Sequence, residues 1–172
     1  MYGVLAWSGY AECNSLGSNK SKYSNNLVGV YATYGGIAGA NGAECSDNIH
    51  GYVADRGGVI DITTTKSFKN KECGYVGEMG GLITGGGSES RDNGTYGYLV
   101  DSISTVYAPN PIAENNLIGY VSLNGATMLT PNMKGVNKKR FCFPIQYDID
   151  KTLSKTGSLM LDRLNDLDML NL

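Results

Sequence analysis

Apolar and polar positions alternate in short runs along this chain, and the runs return at a nearly constant interval. Gly51-Tyr52-Val53-Ala54-Asp55-Arg56-Gly57-Gly58 is the clearest copy, and Gly74-Tyr75-Val76-Gly77-Glu78-Met79-Gly80-Gly81 follows it in register. Gly97-Tyr98-Leu99-Val100-Asp101 and Gly119-Tyr120-Val121-Ser122 continue the series, while Gly29-Val30-Tyr31 and Gly3-Val4-Leu5 precede it. A seventh copy, Arg140-Phe141-Cys142, has lost its glycine. Two columns emerge when the copies are aligned. The first reads Val4, Val30, Tyr52, Tyr75, Tyr98, Tyr120 and Phe141; the second reads Leu5, Tyr31, Val53, Val76, Leu99, Val121 and Cys142. Period-two alternation with β-branched and aromatic enrichment predicts a short strand in each copy. Glycine pairs and Asn-Gly steps such as Asn41-Gly42 and Asn124-Gly125 predict turns.

An asparagine precedes each copy: Asn26, Asn48, Asn70, Asn93, Asn116 and Asn137, at steps of 22, 22, 23, 23 and 21. Units of this size cannot bury an apolar face alone and must stack on their neighbours. The expected fold is therefore all-β, a right-handed parallel β-solenoid of about seven coils of 22–23 residues, with like positions stacked about 4.8 Å apart. The asparagines are expected to form a structural ladder, their amides bonding from coil to coil. The second column is expected to point inward and the tyrosine column outward, or into the wall between coils, as a stacked aromatic ladder. After Asn124-Gly125 the pattern decays through Pro131 and Lys138-Lys139-Arg140. Leu161, Leu164, Leu167 and Leu170 then recur at helical spacing behind Ser158. Residues 1–147 are read as the solenoid and 148–172 as a C-terminal helical cap or oligomerisation segment.

Composition narrows the functions open to such a rod. The chain has 172 residues, 17% of them charged, and a formal charge of -2, so no basic surface for nucleic acid is expected. No apolar run approaches the roughly 20 residues needed to span a bilayer, and Met1 to Tyr10 lacks the basic start of a signal peptide. Four cysteines, Cys13, Cys45, Cys73 and Cys142, permit three pairings, and none is selected by the repeat. The single histidine, His50, reads as a polar variant at a variable position. With one histidine, no Gly-x-Ser-x-Gly elbow, no His-Glu-x-x-His and no phosphate loop, a hydrolytic triad or a zinc site is not expected.

The most informative polar set lies four residues after the repeat glycine, where successive coils supply Asp55, Glu78 and Asp101. Three stacked carboxylates need a cation, a raised pKa or outward splaying into water, and oxygen ligands suit Ca2+. These three are the candidate metal ligands. Tyr52, Tyr75, Tyr98 and Tyr120 are the candidate binding residues, since aromatic faces in a row offer stacking to sugar rings.

The units Gly35-Gly36-Ile37-Ala38-Gly39 through Asn48 and Gly51, and Gly80-Gly81-Leu82-Ile83 through Asn93 and Gly97, resemble the GLUG repeat of bacterial surface and secreted proteins. The middle unit matches in spacing but carries Asp61 where the third glycine of the motif belongs, and Thr84 takes that place in the later one. The resemblance covers about residues 25 to 125. It implies an extracellular β-solenoid stalk or adhesin with no catalytic residues to transfer. The expected function is thus a non-enzymatic surface or appendage module that binds glycans or a protein. The alternative is a polysaccharide-active lyase or hydrolase using Asp55, Glu78 and Asp101, with Arg56 nearby. Because Met1-Tyr2-Gly3-Val4-Leu5 already carries the repeat, self-association or membership of a longer chain is expected to cover that edge.

Overall fold

A computed structural model of the chain describes residues 1–15 and 20–142. The expected C-terminal helix lies outside these residues. The described part is a parallel β-solenoid without a helix. Each turn contributes one strand to each of three sheets, as in His50–Ala54, Val59–Asp61 and Lys66–Phe68. The first sheet has 7 strands, the second 6 and the third 5, with every pairing parallel and between neighbouring turns. About five turns therefore carry all three strands. The first sheet continues with Ile118–Ser122 and Lys139–Cys142, and the second with Thr127–Leu129.

Register follows the sequence period residue for residue. Tyr52, Tyr75 and Tyr98 are partners across adjacent strands, as are Val53, Val76 and Leu99. The expected facing of these two columns is reversed. Tyr52, Tyr75 and Tyr98 are 0% exposed and Tyr120 is 3% exposed, all four within the main core. Their rings stack at centroid distances of 5.0, 4.6 and 5.1 Å with interplanar angles of 10–11°. Space for the rings comes from the small residues that face the lumen elsewhere. Ala32 and Ala54 do so in the first sheet, and Cys45, Ser67, Ser90 and Ala113 in the third. The phenols have partners inside: Tyr52 donates to the Ala43 carbonyl at 2.7 Å, Tyr75 to that of Glu89 and Tyr98 to that of Ser88, each at 3.0 Å. The bond to a carbonyl offsets the cost of burying each phenol, and its stacked ring contributes packing beyond its area.

The second column belongs to a separate apolar strip. Val53 and Val76 pack with Val28 and Cys73, while Tyr31, Tyr96 and Leu99 close its margins. Val53, Val76 and Val121 are buried, Leu99 is half-buried, and Leu5 is exposed. The lumen on the second sheet is filled by Ala38, Ile60, Ile83, Val106 and Met128, aligned in successive turns.

The asparagine ladder forms as expected. Asn48 Oδ1 accepts the backbone N–H of Asn26, Asn70 Oδ1 that of Asn48, and Asn93 Oδ1 that of Asn70. Asn116 and Asn137 extend the chain of bonds. The Asn70 amide also donates to Ser67 Oγ and Asn93 Oδ1, both at 2.9 Å, so its side chain is satisfied on every side.

Candidate functional site

The side chains that reach solvent in a regular array stand at the corner between the first and second sheets. From the second turn of the rod onward, each corner is a two-residue turn with both central residues at positive φ, the type I′ geometry. Tyr34-Gly35 have φ of 50° and 73°, Arg56-Gly57 45° and 74°, Met79-Gly80 48° and 79°, Ser102-Ile103 52° and 63°, and Asn124-Gly125 47° and 75°. The turn closes through the N–H of Gly36 to the Thr33 carbonyl, Gly58 to Asp55 and Gly81 to Glu78. Asn-Gly is the favoured pair for this turn. Most coils instead place a large side chain on it, and that side chain projects from the rod.

Trp7 and Tyr34 stack at 4.5 Å with an interplanar angle of 25°, and the Arg56 guanidinium lies 5.2 Å from the Tyr34 ring centre. Trp7 is 60% exposed and Tyr34 is also exposed. Behind Arg56 lies Asp55, a buried carboxylate whose Oδ2 accepts from Arg56 Nη1 and, at 3.0 Å, from the Tyr31 hydroxyl. Burial, with a further contribution from Asp55, holds the Tyr31 phenol above its ordinary pKa. Asp55 Oδ1 and the buried Thr33 Oγ1, which precedes it in the same column, have no hydrogen-bond partner among the described residues.

The three acidic residues of the repeat do occupy one column, since Asp55, Glu78 and Asp101 each donate a backbone N–H to the preceding turn at equivalent positions. Their carboxylates have different surroundings. Asp55 is held by Arg56 and Tyr31, while Asp101 Oδ1 accepts from Ser102 N–H at 2.6 Å and Asn124 Nδ2 at 2.7 Å. Among the described residues no three His, Cys, Asp or Glu side chains stand where they could share a metal ion. The four tyrosines expected to bind sugar are sealed in the core, and the stacked aromatic pair at the corner is Trp7 and Tyr34. Both occupy repeat positions, Trp7 in the column of Thr33 and Asp55 and Tyr34 in that of Arg56 and Met79, but the other turns place no aromatic side chain there, so periodicity did not single them out.

The remaining reactive groups are quiet. Burial pushes the Cys13 thiol up to about 11 and the Cys73 thiol up to about 12, and raises Cys45 as well. His50 Nε2 lies 3.5 Å from Glu72, and burial lowers its pKa. On the third sheet Lys22, Glu44, Lys66 and Glu89 alternate in charge across successive turns. Lys66 pairs with Glu89, and Arg91 pairs with both Glu89 and Glu114. A shallow cavity of about 220 Å³ lies there, lined by Lys66, Phe68, Glu89, Arg91 and Asp92. Comparison with protein-family models, with curated proteins and with solved structures finds no match to this chain.

Proposed function

We propose that the chain is a non-enzymatic, rod-like module of a cell-surface or secreted protein, an adhesin or stalk, that binds glycans through its exposed corner aromatics. The observation that carries this reading is the Trp7–Tyr34 stack braced by Arg56, a solvent-facing aromatic platform on a backbone held by two internal ladders. Aromatic faces stack on the apolar faces of sugar rings, and the Arg56 guanidinium beside them supplies a donor for hydroxyls. The motif-level likeness to GLUG repeats supports an extracellular setting. In the same reading the rod is right-handed, as parallel β crossovers generally are, and runs on to about seven coils closed by the segment 148–172. The enzymatic alternative would need a carboxylate free to exchange protons beside a partner. Asp55 Oδ2 is engaged by Arg56 and Tyr31, and Asp101 Oδ1 by Ser102 and Asn124. A glycan array tests the proposal. The parent should give signals that Trp7→Ala and Tyr34→Ala abolish, with circular dichroism of the variants unchanged. A blank array for the parent, or signals that survive both substitutions, would overturn it.

A further inference from the structure

One corner breaks the rule that the others keep. At the second central position of the type I′ turn stand Gly35, Gly57, Gly80 and Gly125, but the fifth turn carries Ile103, at φ 63°. A β-branched side chain in the left-handed region is a conformational outlier, because its Cβ substituents crowd the flanking carbonyls. Nothing in the fold returns that strain, since Ile103 is 81% exposed. One residue therefore bears two penalties, backbone strain and a hydrated aliphatic side chain, which glycine would remove at once. Strain kept against such an easy substitution belongs to sites whose gain lies outside the folded chain.

Its neighbours share the character. Met79, on the preceding turn, is 54% exposed and also holds a positive φ of 48°, and Leu123 is exposed on the following turn. Isolated exposed apolar residues are ordinary, but these three follow one another on consecutive turns of the same corner as a staggered ridge. Met79 stands at the first central position, Ile103 at the second and Leu123 just before its turn, in the column of Glu78 and Asp101. Glu78 and Asp101 run beside it, and the charge of the third acidic residue, Asp55, is matched by Arg56. Among the described residues neither Glu78 nor Asp101 has an ion-pair partner. The margin of the ridge is thus negative.

We propose that Ile103, flanked by Met79 and Leu123, is the anchor of a docking ridge for a protein partner that presents an apolar groove rimmed by lysine or arginine. The acidic margin selects against anionic membranes and anionic polysaccharides, and it steers a basic rim into register. The ridge uses none of Trp7, Tyr34 and Arg56, so it is tested independently of the glycan reading. The gain on docking comes from burying the three side chains, with Ile103 the largest contributor because it is the most exposed.

The probe is a designed helical hairpin with a leucine-lined interhelical groove and lysines along both rims, compared with a twin whose rims are glutamate. Binding is read by fluorescence anisotropy, and stability by thermal unfolding. The parent should bind the lysine hairpin and not the glutamate one. Ile103→Gly should weaken binding by about tenfold or more while raising Tm by about 3 °C through loss of strain. Met79→Asn, which keeps a residue suited to positive φ, should also weaken binding without lowering Tm. Ile103→Val, which keeps both the strain and an aliphatic side chain, should bind nearly as the parent does. Equal binding of the two hairpins, undiminished binding by Ile103→Gly, or a Tm below that of the parent for Ile103→Gly would overturn the proposal.

Discussion

At the scale of single residues, the asparagine ladder is unusual in how much polarity it buries and bonds. Asn93 shows this best. Its Oδ1 accepts from the backbone N–H and the side-chain amide of Asn70, and its own amide donates to Ser90 Oγ and Asn116 Oδ1. Asn93→Ala would leave buried donors on Asn70 without partners, so urea unfolding should show a loss of about 3 kcal/mol. A loss under half a kilocalorie, roughly the scatter of surface substitutions, would mean that the ladder is decorative. The buried thiols and phenols make a second, pH-linked prediction. Cys13 and Cys73 rise from an ordinary 9.0 to about 11 and about 12, and Tyr52, Tyr75 and Tyr98 are raised well above 10.0, all chiefly by burial. These groups are acids whose neutral form is favoured by folding, so the unfolded chain loses protons first as pH climbs. Their contribution is complete below pH 9 and is lost progressively from there toward the folded pKa values. The urea midpoint should hold level from pH 7 to 9 and fall steadily above it; a midpoint flat to pH 11 would contradict the buried setting of these groups.

At the scale of the element, each full coil is three short strands, with a tight corner after the first and a glycine where the next coil passes too close for a side chain. A Cβ on Gly51 would lie 2.6 Å from the Gly74 carbonyl oxygen and collide with Ser67 Oγ. The repeat glycine is therefore required by coil-to-coil approach, and Gly51→Ala should abolish cooperative thermal unfolding or lower Tm by more than about 8 °C. The apolar strip of the first sheet is a second test at this scale. Val76, 3% exposed, sits among Val28, Val53 and Cys73. Val76→Asp should cost about 3 kcal/mol or more. This expectation follows from the sequence period alone, although the physical setting differs from the one the alternation suggested: the valine lies in the strip beside the core, and the tyrosine next to it fills the lumen.

At the scale of the whole molecule, a solenoid couples each turn only to its neighbours, so stability is distributed along the axis and opening begins at the ends. Hydrogen exchange should protect the amides of Cys73–Gly77, between two paired strands and under the asparagine ladder, more than those of Tyr2–Trp7, which pair on one side. Uniform protection would indicate a single cooperative unit instead. The sequence alone determined the architecture, because a stacked repeat writes its spacing directly into the chain. The glycine and asparagine registers name the residues that meet across coils, and Tyr52–Tyr75–Tyr98 and Asn48–Asn70–Asn93 do meet. Facing was decided only by the tertiary structure. Alternation tells two sides of a strand apart without saying which one is inside, and a tyrosine row suits either side until the small residues of the opposite sheets are known. Cys45, Ser67, Ser90 and Ala113 leave the room, and the Ala43, Glu89 and Ser88 carbonyls receive the hydroxyls, so the rings turn inward. The corner platform and the strained Ile103 likewise became visible only once backbone dihedrals and exposure placed them on the rim of the rod.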